Sequence, residues 1–195
     1  DEISEILCLM QENKMPHIAG KEQTALTVIN STFEGGKSIY LLEQSHAHIT
    51  SSSFTNGDGV QIEITDETKL TLNNCLIDHG NSNALKASMN STLNIYDSQI
   101  ANHRLPQVVI NDSSLIFNNS ELINGERNGF IIENYSEAFI QDSFITKHQY
   151  PQIWIDKHST VEMKTTTMTE GKESDIYVQN YSNLYVDQCI IRNDY

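Results

Sequence analysis

Two similar segments of the sequence place histidine, proline and glutamine at matching positions. They read NHRLPQVVI at residues 102–110 and KHQYPQIWI at residues 147–155. If the two segments are similar loops about 10 Å apart, with one further loop between them, their histidines would lie near several basic side chains of a chain whose formal net charge is −14. Such an edge could bind an anion, and its histidines would make binding sensitive to pH near neutrality. The candidate anion-contact edge comprises His103, Arg104, Arg127 and His148.

A structural interpretation of the same segments is simpler. Pro106 and Pro151 each precede an apolar run. Because proline fixes φ and commonly begins a strand, the two segments could repeat only because they enter strands of matching length. The sequence favours this interpretation, and the anion-contact edge is the alternative.

A short pattern recurs along nearly the whole chain. Apolar residues alternate, a polar turn follows, and a further apolar run completes each of eight copies, which start 21 to 23 residues apart. The copies occupy residues 26–33, 47–54, 70–77, 93–100, 115–122, 138–145, 161–168 and 184–191. Another alternating run precedes each copy from the second onward. The pattern therefore predicts three short strands and no helix in each repeat.

Alternation within the strands predicts which side chains face inward. One inward apolar column would comprise Val28, Ile49, Leu72, Ile95, Phe117, Ile140, Met163 and Val186. Polar residues recur at the following bend, where short side chains can bond to turn backbone: Asn30, Ser51, Asn74, Asp97, Asn119, Asp142, Thr165 and Gln188. Glycines share another turn position, where we expect positive φ: Gly36, Gly57, Gly80, Gly125 and Gly171.

A coil of about 22 residues with three strands and an asparagine-type ladder resembles the right-handed parallel β-helix of the pectin-lyase-like superfamily. The resemblance covers residues 24–195 and implies an all-β solenoid of about eight coils. Because one fold hosts many functions, it implies architecture more strongly than activity.

The two ends of the repeat array need cover, because an open sheet end is a template for pairing. Residues 1–23 break the pattern, and EISEILCLMQEN is expected to form a short amphipathic helix that caps the first coil. We therefore divide the chain into a capping segment, 1–23, and a β-helix domain, 24–195. At the other end, further sequence, another domain or a second copy is expected to cover the last coil.

Many members of that superfamily cleave acidic polysaccharides above the first strand of each coil. The outward column of that strand here reads Tyr40, Glu63, Lys86, Val109, Ile131, Trp154 and Tyr177. A hydrolase needs two carboxylates roughly 5–10 Å apart, and Glu63 has no second acid in this column. The paired-Asp and Arg-x-Lys signatures of polygalacturonases with this fold are also missing. We therefore expect no catalytic residues and no enzymatic activity.

The later part of that face is apolar and aromatic. The candidate interaction stripe comprises Val109, Ile131, Trp154 and Tyr177 from the first strands, and Phe139 and Tyr185 from the second strands. A contiguous apolar patch usually marks a binding surface. The sequence thus predicts a non-catalytic interaction or scaffold module of a larger protein or assembly, whose partner is a protein, an adjoining domain or a second copy. The alternative is a carbohydrate-binding or polysaccharide-degrading protein that uses Trp154 and Tyr177 as sugar platforms.

Composition argues against several other functions. The acidity disfavours nucleic acid, whose phosphates need a basic surface. No apolar stretch approaches the roughly 18 residues of a membrane span. His46 and His48 lack a cysteine or carboxylate at ligand spacing, so we expect no metal and no cofactor. Three cysteines without an evident pairing favour a reducing compartment, which predicts a cytoplasmic location.

Overall fold

The computed structural model describes residues 9–11 and 15–192, with side chains from residue 15 onward. These residues form 25 short β-strands and no helix. The strands build three parallel sheets, and each coil adds one strand to sheet 1, then to sheet 2, then to sheet 3. The predicted all-β parallel β-helix with three strands per coil is confirmed.

The strand bounds follow the repeat. Sheet 1 contains β2 (Ile18–Gly20), β5 (Ile39–Leu41), β8 (Ile62–Ile64), β11 (Leu85–Ser88), β14 (Val108–Asn111), β17 (Phe130–Glu133), β20 (Ile153–Ile155) and β23 (Ile176–Val178). Sheet 2 contains β3 (Ala25–Ile29), β6 (His46–Thr50), β9 (Lys69–Asn73), β12 (Thr92–Tyr96), β15 (Ser114–Asn118), β18 (Glu137–Gln141), β21 (Thr160–Lys164) and β24 (Asn183–Asp187). Sheet 3 contains β1 (Leu9–Gln11), β4 (Thr32–Glu34), β7 (Ser53–Gly57), β10 (Leu76–Gly80), β13 (Gln99–His103), β16 (Glu121–Ile123), β19 (Phe144–Thr146), β22 (Thr167–Thr169) and β25 (Ile190–Arg192).

The strand register brings equivalent residues of successive coils together. In sheet 2, Val28 pairs with Ile49 and Met163 pairs with Val186, so the predicted inward column is continuous from the first copy to the last. Its members are buried except Val186 in the last coil. Apolar columns from all three sheets meet in one core along the axis of the solenoid.

Two ladders of buried hydroxyl groups hold the turns. In the turn between sheets 2 and 3, the backbone N–H of Ser98 donates to Ser120 Oγ at 3.1 Å, and that hydroxyl donates to the carbonyl of Asn118 at 2.7 Å. The turn between sheets 1 and 2 repeats the arrangement, with Ser91 N–H donating to Ser113 Oγ at 3.1 Å. The Ser120 hydroxyl therefore satisfies one buried donor of the preceding coil and one acceptor of its own coil.

The predicted polar turn column adopts the left-handed conformation. Its eight residues, from Asn30 to Gln188, have φ between 46° and 53°. Asparagine and aspartate tolerate this region better than most residues. Their side chains also bond along the axis, as between Asn74 Nδ2 and Ser51 Oγ at 3.0 Å.

The prediction of positive φ for the glycine column is wrong at most positions. Gly36 has φ 59°, but the other four glycines do not lie in the left-handed region, which the preceding residue occupies instead. A Cβ at Gly80 would lie 2.5 Å from Cδ2 of His103, and one at Gly125 would lie 2.7 Å from Cδ2 of His148. Glycine occupies these two positions because an imidazole ring of the next coil fills the space that a Cβ atom would need.

The predicted N-terminal helix is not seen in the described part of its range. Residues 1–8 and 12–14 lie outside the described residues, and Leu9–Gln11 forms β1, which pairs in parallel with β4. Helical spacing of apolar residues was the only basis for that helix, and three of its residues continue sheet 3 instead. Strand β2 likewise pairs with β5.

Candidate functional site

The structure places the first column of the interaction stripe on the outer face of sheet 1. Val109, Ile131, Trp154 and Tyr177 are direct neighbours in adjacent strands. The first three are half-buried and Tyr177 is exposed. The Trp154 and Tyr177 rings stack, with centroids 4.6 Å apart and planes inclined by 28°. An apolar strip four coils long therefore faces outward.

The second column of the stripe is less continuous. Phe139 lies on the outer face of sheet 2 beside Ile116 of the preceding coil. Glu162 follows it and separates Phe139 from the exposed Tyr185. The sheet 2 part of the stripe therefore contains a carboxylate between its two aromatic side chains.

A buried carboxylate lies near Trp154, in the turn that follows its strand. Asp156 Oδ1 accepts hydrogen bonds from the backbone N–H of Lys157 at 2.8 Å and from Asn180 Nδ2 at 2.7 Å. Burial acts to raise the pKa of Asp156, but hydrogen bonds from Asn180, Gln179, Lys157 and Trp154 together lower it. The charged carboxylate thus lies close to the indole, whose ring face packs against Tyr177.

Glu63, the one carboxylate of the outward column of sheet 1, lies between two lysines. Its Oε2 lies 2.5 Å from Lys37 Nζ, and its Oε1 lies 3.8 Å from Lys86 Nζ. The Lys37 ammonium also lies 4.2 Å from the ring centroid of Tyr40. Hydrolysis by two carboxylates would require a second carboxylate opposite Glu63. Among the described residues of this column there is none.

The histidines of the anion-contact edge are not at the surface, and their prediction as ligand contacts is wrong. His103 and His148 are fully buried. Burial lowers the pKa of each from 6.5 to about 4, so neither titrates near neutrality. Arg104 and Arg127 do lie on exposed loops, where Arg104 Nε is 3.8 Å from Glu126 and the Arg127 guanidinium lies over the Tyr150 ring. The four residues therefore do not form one surface.

The buried histidines belong to a polar ladder inside the solenoid. His103 Nε2 lies 2.8 Å from Gln61 Oε1, two coils away. His148 Nε2 lies 2.9 Å from Gln107 Oε1, and His148 Nδ1 lies 3.1 Å from Gln152 Oε1. Every glutamine in the ladder uses its amide N–H to bond a main-chain carbonyl: Gln61 to Asp78, Gln107 to Ile123 and Gln152 to Thr169.

The described residues offer little for a metal site or a membrane crossing. No three His, Cys, Asp or Glu side chains within residues 15–192 cluster so that they could hold a metal ion. The same part of the chain has no helix with the length and apolar character needed to cross a bilayer. Cys75 and Cys189 are both unpaired, and burial raises the pKa of the Cys75 thiol.

The comparisons with known proteins agree with this architecture. The family described as "Right handed beta helix region" matches residues 16–124 and 106–195. The chain belongs to this β-helix family. No curated protein matches the sequence. Among solved structures, the A-module of the Azotobacter vinelandii mannuronan C-5 epimerase AlgE6 is similar with a TM-score of 0.57 at 11% identity, over 95% of this chain and 78% of that one.

A second solved structure is much less similar. Full-length QnrB1, a plasmid-mediated fluoroquinolone resistance protein, gives a TM-score of 0.25 at 10% identity, over 83% of this chain and 94% of that one. Because identity is so low in both cases, the epimerase module supports only the fold of this β-helix chain, and QnrB1 supports no conclusion.

One aromatic column of this β-helix was missed by the sequence analysis. Tyr135, His158 and Tyr181 lie in the turn between sheets 1 and 2, in three successive coils, each with positive φ. Their rings stack with centroids 4.9 and 5.2 Å apart and nearly parallel planes. All three are exposed. Their spacing of 23 residues, one position before a column of serines, was the signal available in the sequence.

Proposed function

We propose that this β-helix chain is a non-catalytic interaction module of a larger protein or assembly, and that a protein partner docks on the interaction stripe. The observation that carries the proposal is the Trp154–Tyr177 stack, which extends the half-buried Val109 and Ile131 along one face. Apolar and aromatic side chains in a row exclude water over a contiguous area, which is the usual anatomy of an interface core.

The charge pattern of the same face supports a binding role over catalysis. Glu63 is paired with Lys37 and Lys86 and is therefore poorly placed to accept or donate a proton from a substrate. The remaining members of the outward column are apolar or aromatic from Val109 onward. The face thus offers contact area and few groups that could transfer a proton.

Ile131→Asp tests the protein-partner proposal. Ile131 lies in the middle of the stripe, so a buried charge there should remove binding, whereas Thr71→Asp on the outer face of sheet 2 is the matched control. Affinity capture with the wild-type chain should recover a partner that is lost with Ile131→Asp and kept with Thr71→Asp, at equal melting temperatures. Equal recovery with all three chains would contradict the proposal.

A carbohydrate-binding function is the second candidate, and one observation favours it. Lys37 and Lys86 lie in the same face as the Trp154–Tyr177 stack, so cations and aromatic rings are available to an acidic polysaccharide. Binding of polyuronate that is abolished by Trp154→Ser/Tyr177→Ser but unaffected by Ile131→Asp would support this candidate. Depolymerisation that depends on Glu63 would show an enzyme instead.

A further inference from the structure

We infer that a groove on the outer face of sheet 2 binds a phosphate group, either free or carried by a small hydroxyl-bearing molecule. The groove crosses strands β6, β9 and β12, whereas the interaction stripe lies in later coils. The inference therefore does not rest on the proposed function. We call this feature the sheet 2 groove, and its volume is about 580 Å³. The lining residues that matter here are Gln44, His46, His48, Glu67, Lys69 and Asn94.

Three nitrogen-bearing side chains lie close together in the sheet 2 groove. His46 and His48 alternate along β6 and therefore share its outer face, and Lys69 is the direct neighbour of His46 in β9. Residues on the same face of one strand are about 7 Å apart, and neighbouring strands are about 4.8 Å apart. All three side chains are exposed, and Ala25, the neighbour of His46 in the preceding coil, is too short to cover them. One small ligand can therefore contact all three.

These three side chains have no partner in the described part of the chain. None of them forms an ion pair or a side-chain hydrogen bond within residues 15–192. Lys37, Lys86 and Lys157, by contrast, each pair with a carboxylate. The chain has a formal net charge of −14, so carboxylates are abundant, and like charges on neighbouring strands destabilise a sheet. The arrangement thus brings no evident benefit to folding.

An anionic ligand accounts for this arrangement. The lysine ammonium group is a point charge for an oxyanion, and a histidine donates at least one N–H in either protonation state. The sheet 2 groove therefore offers a positive charge and at least two further donors on one surface of an otherwise acidic protein.

Glu67 determines which anion fits. Its carboxylate lines the same groove and accepts a hydrogen bond from Gln44 Nε2 at 3.2 Å. Beside the donors, this carboxylate repels an anion that has acceptor oxygens only, and sulfate is such an anion near neutral pH. Inorganic phosphate retains a hydroxyl group at that pH and can donate it to Glu67, and a phosphate ester of a polyol can donate an alcohol hydroxyl. The groove therefore favours phosphate over sulfate.

The size of the sheet 2 groove leaves room for more than a phosphate ion. Its volume of about 580 Å³ lies within the range of small-molecule sites, which is roughly 300–1,000 Å³. Asn94 lines the groove in β12, and its buried Oδ1 atom has no hydrogen-bond partner within the described residues. An unpaired acceptor costs free energy, so a ligand hydroxyl that reaches this amide would stabilise the complex. We therefore expect a phosphate ester with hydroxyl groups to bind more tightly than free phosphate.

Titration of the 195-residue chain with inorganic phosphate, glucose 6-phosphate and sulfate, in a buffer without other oxyanions, tests the inference. Nuclear magnetic resonance of the histidine ring C–H groups reports on the site directly. We expect saturable shifts of the His46 and His48 signals with both phosphates, and at least about tenfold weaker binding of sulfate at equal ionic strength. The relative affinities of inorganic phosphate and glucose 6-phosphate distinguish a free ion from an ester. Absence of saturable shifts at millimolar phosphate would overturn the inference, as would equal affinity for sulfate.

Substitutions in the groove separate a specific site from general attraction of anions. Lys69→Gln should weaken phosphate binding about tenfold, and His46→Gln/His48→Gln should weaken it further. Lys164→Gln is the matched control, because this lysine also lies in sheet 2 but outside the groove, four coils away, and should leave the affinity unchanged. Glu67→Gln should improve sulfate binding until phosphate is no longer preferred. Circular dichroism checks that each variant is folded. Equal loss of affinity in Lys69→Gln and Lys164→Gln would exclude a specific site.

Discussion

The two buried histidines should make the protein lose stability on mild acidification. His103 and His148 are neutral inside the solenoid because burial lowers the pKa of each from 6.5 to about 4. For His103, the nearby Ala101 backbone and the Asp78 charge favour the proton, and His79 opposes it. For His148, the hydrogen bond with Gln152 favours the proton and only partly offsets burial.

The sign and the size of the effect follow from proton linkage. Between pH 6.5 and about 4 the unfolded chain binds protons at these two positions and the folded chain does not. The free energy of unfolding therefore falls as the pH falls through this window, and it levels off below about pH 4. A difference of about 2.5 units between the pKa values of the two states corresponds to a little over 3 kcal/mol per histidine, and so to about 7 kcal/mol for both once the pH is below about 4.

Urea unfolding at a series of pH values between 7.5 and 4.5 measures this dependence. His103→Gln and His148→Gln should each remove about half of the wild-type loss in unfolding free energy on acidification, since glutamine forms hydrogen bonds but does not titrate. The double variant should remove nearly all of that loss. Asp142 and Asp156 have a lowered pKa and act mainly below this window, so they do not mask the histidines. A double variant with the same pH dependence as the wild type would refute the reasoning, as would nuclear magnetic resonance titrations that place either histidine near pH 6.5.

Two further predictions concern the internal packing of the solenoid. Gly80→Ala should destabilise the fold by about 1–3 kcal/mol, because its Cβ would lie 2.5 Å from His103 Cδ2. In a His103→Ala background the same substitution should cost less stability. An equal loss in both backgrounds would contradict the steric cause. Ser120→Ala should cost about 1–2 kcal/mol in thermal or urea unfolding, because the buried N–H of Ser98 would lose its acceptor, while the carbonyl of Asn118 would keep its bond from the N–H of Asp97. Exposed Ser174→Ala should have no measurable effect.

The strands and their register were predictable because the repeat is encoded in alternation. If the strand that contains Val28 or Ile49 slipped by one residue, all of its inward apolar side chains would move to the surface. The alternation therefore permits only one register. The polar turn column was predictable for a similar reason, since Asn74 and its equivalents are residues that tolerate positive φ. The outward positions of Trp154 and Tyr177 followed from the same alternation.

The loops between sheets 3 and 1 were not predictable in this way. Whether His103 points inward depends on the space that Gly80 leaves in the neighbouring coil, and the sequence gives no direct measure of that space. The glycines were assigned to backbone conformation because positive φ is their commonest role in turns. Here, except at Gly36, the residue before each of these glycines takes positive φ instead, as at His79 and Asn124. The helix at the N-terminus rested on spacing alone and had no contact information to correct it.

The repetition of the two segments at residues 102–110 and 147–155 now has a physical cause. An imidazole and a glutamine side chain are too large to occupy this corner in every coil, so coils with His and Gln alternate with a coil that carries Gly125 and Gly129. A Cβ at Gly129 would lie 3.1 Å from His148 Cε1, and the ring reaches past this coil to Gln107. Asn128 completes the pairing, because its amide donates to the Pro151 carbonyl of the following loop at 2.7 Å. The corner therefore repeats every two coils although the strands repeat every coil, which is why the chain carries the motif twice at double spacing.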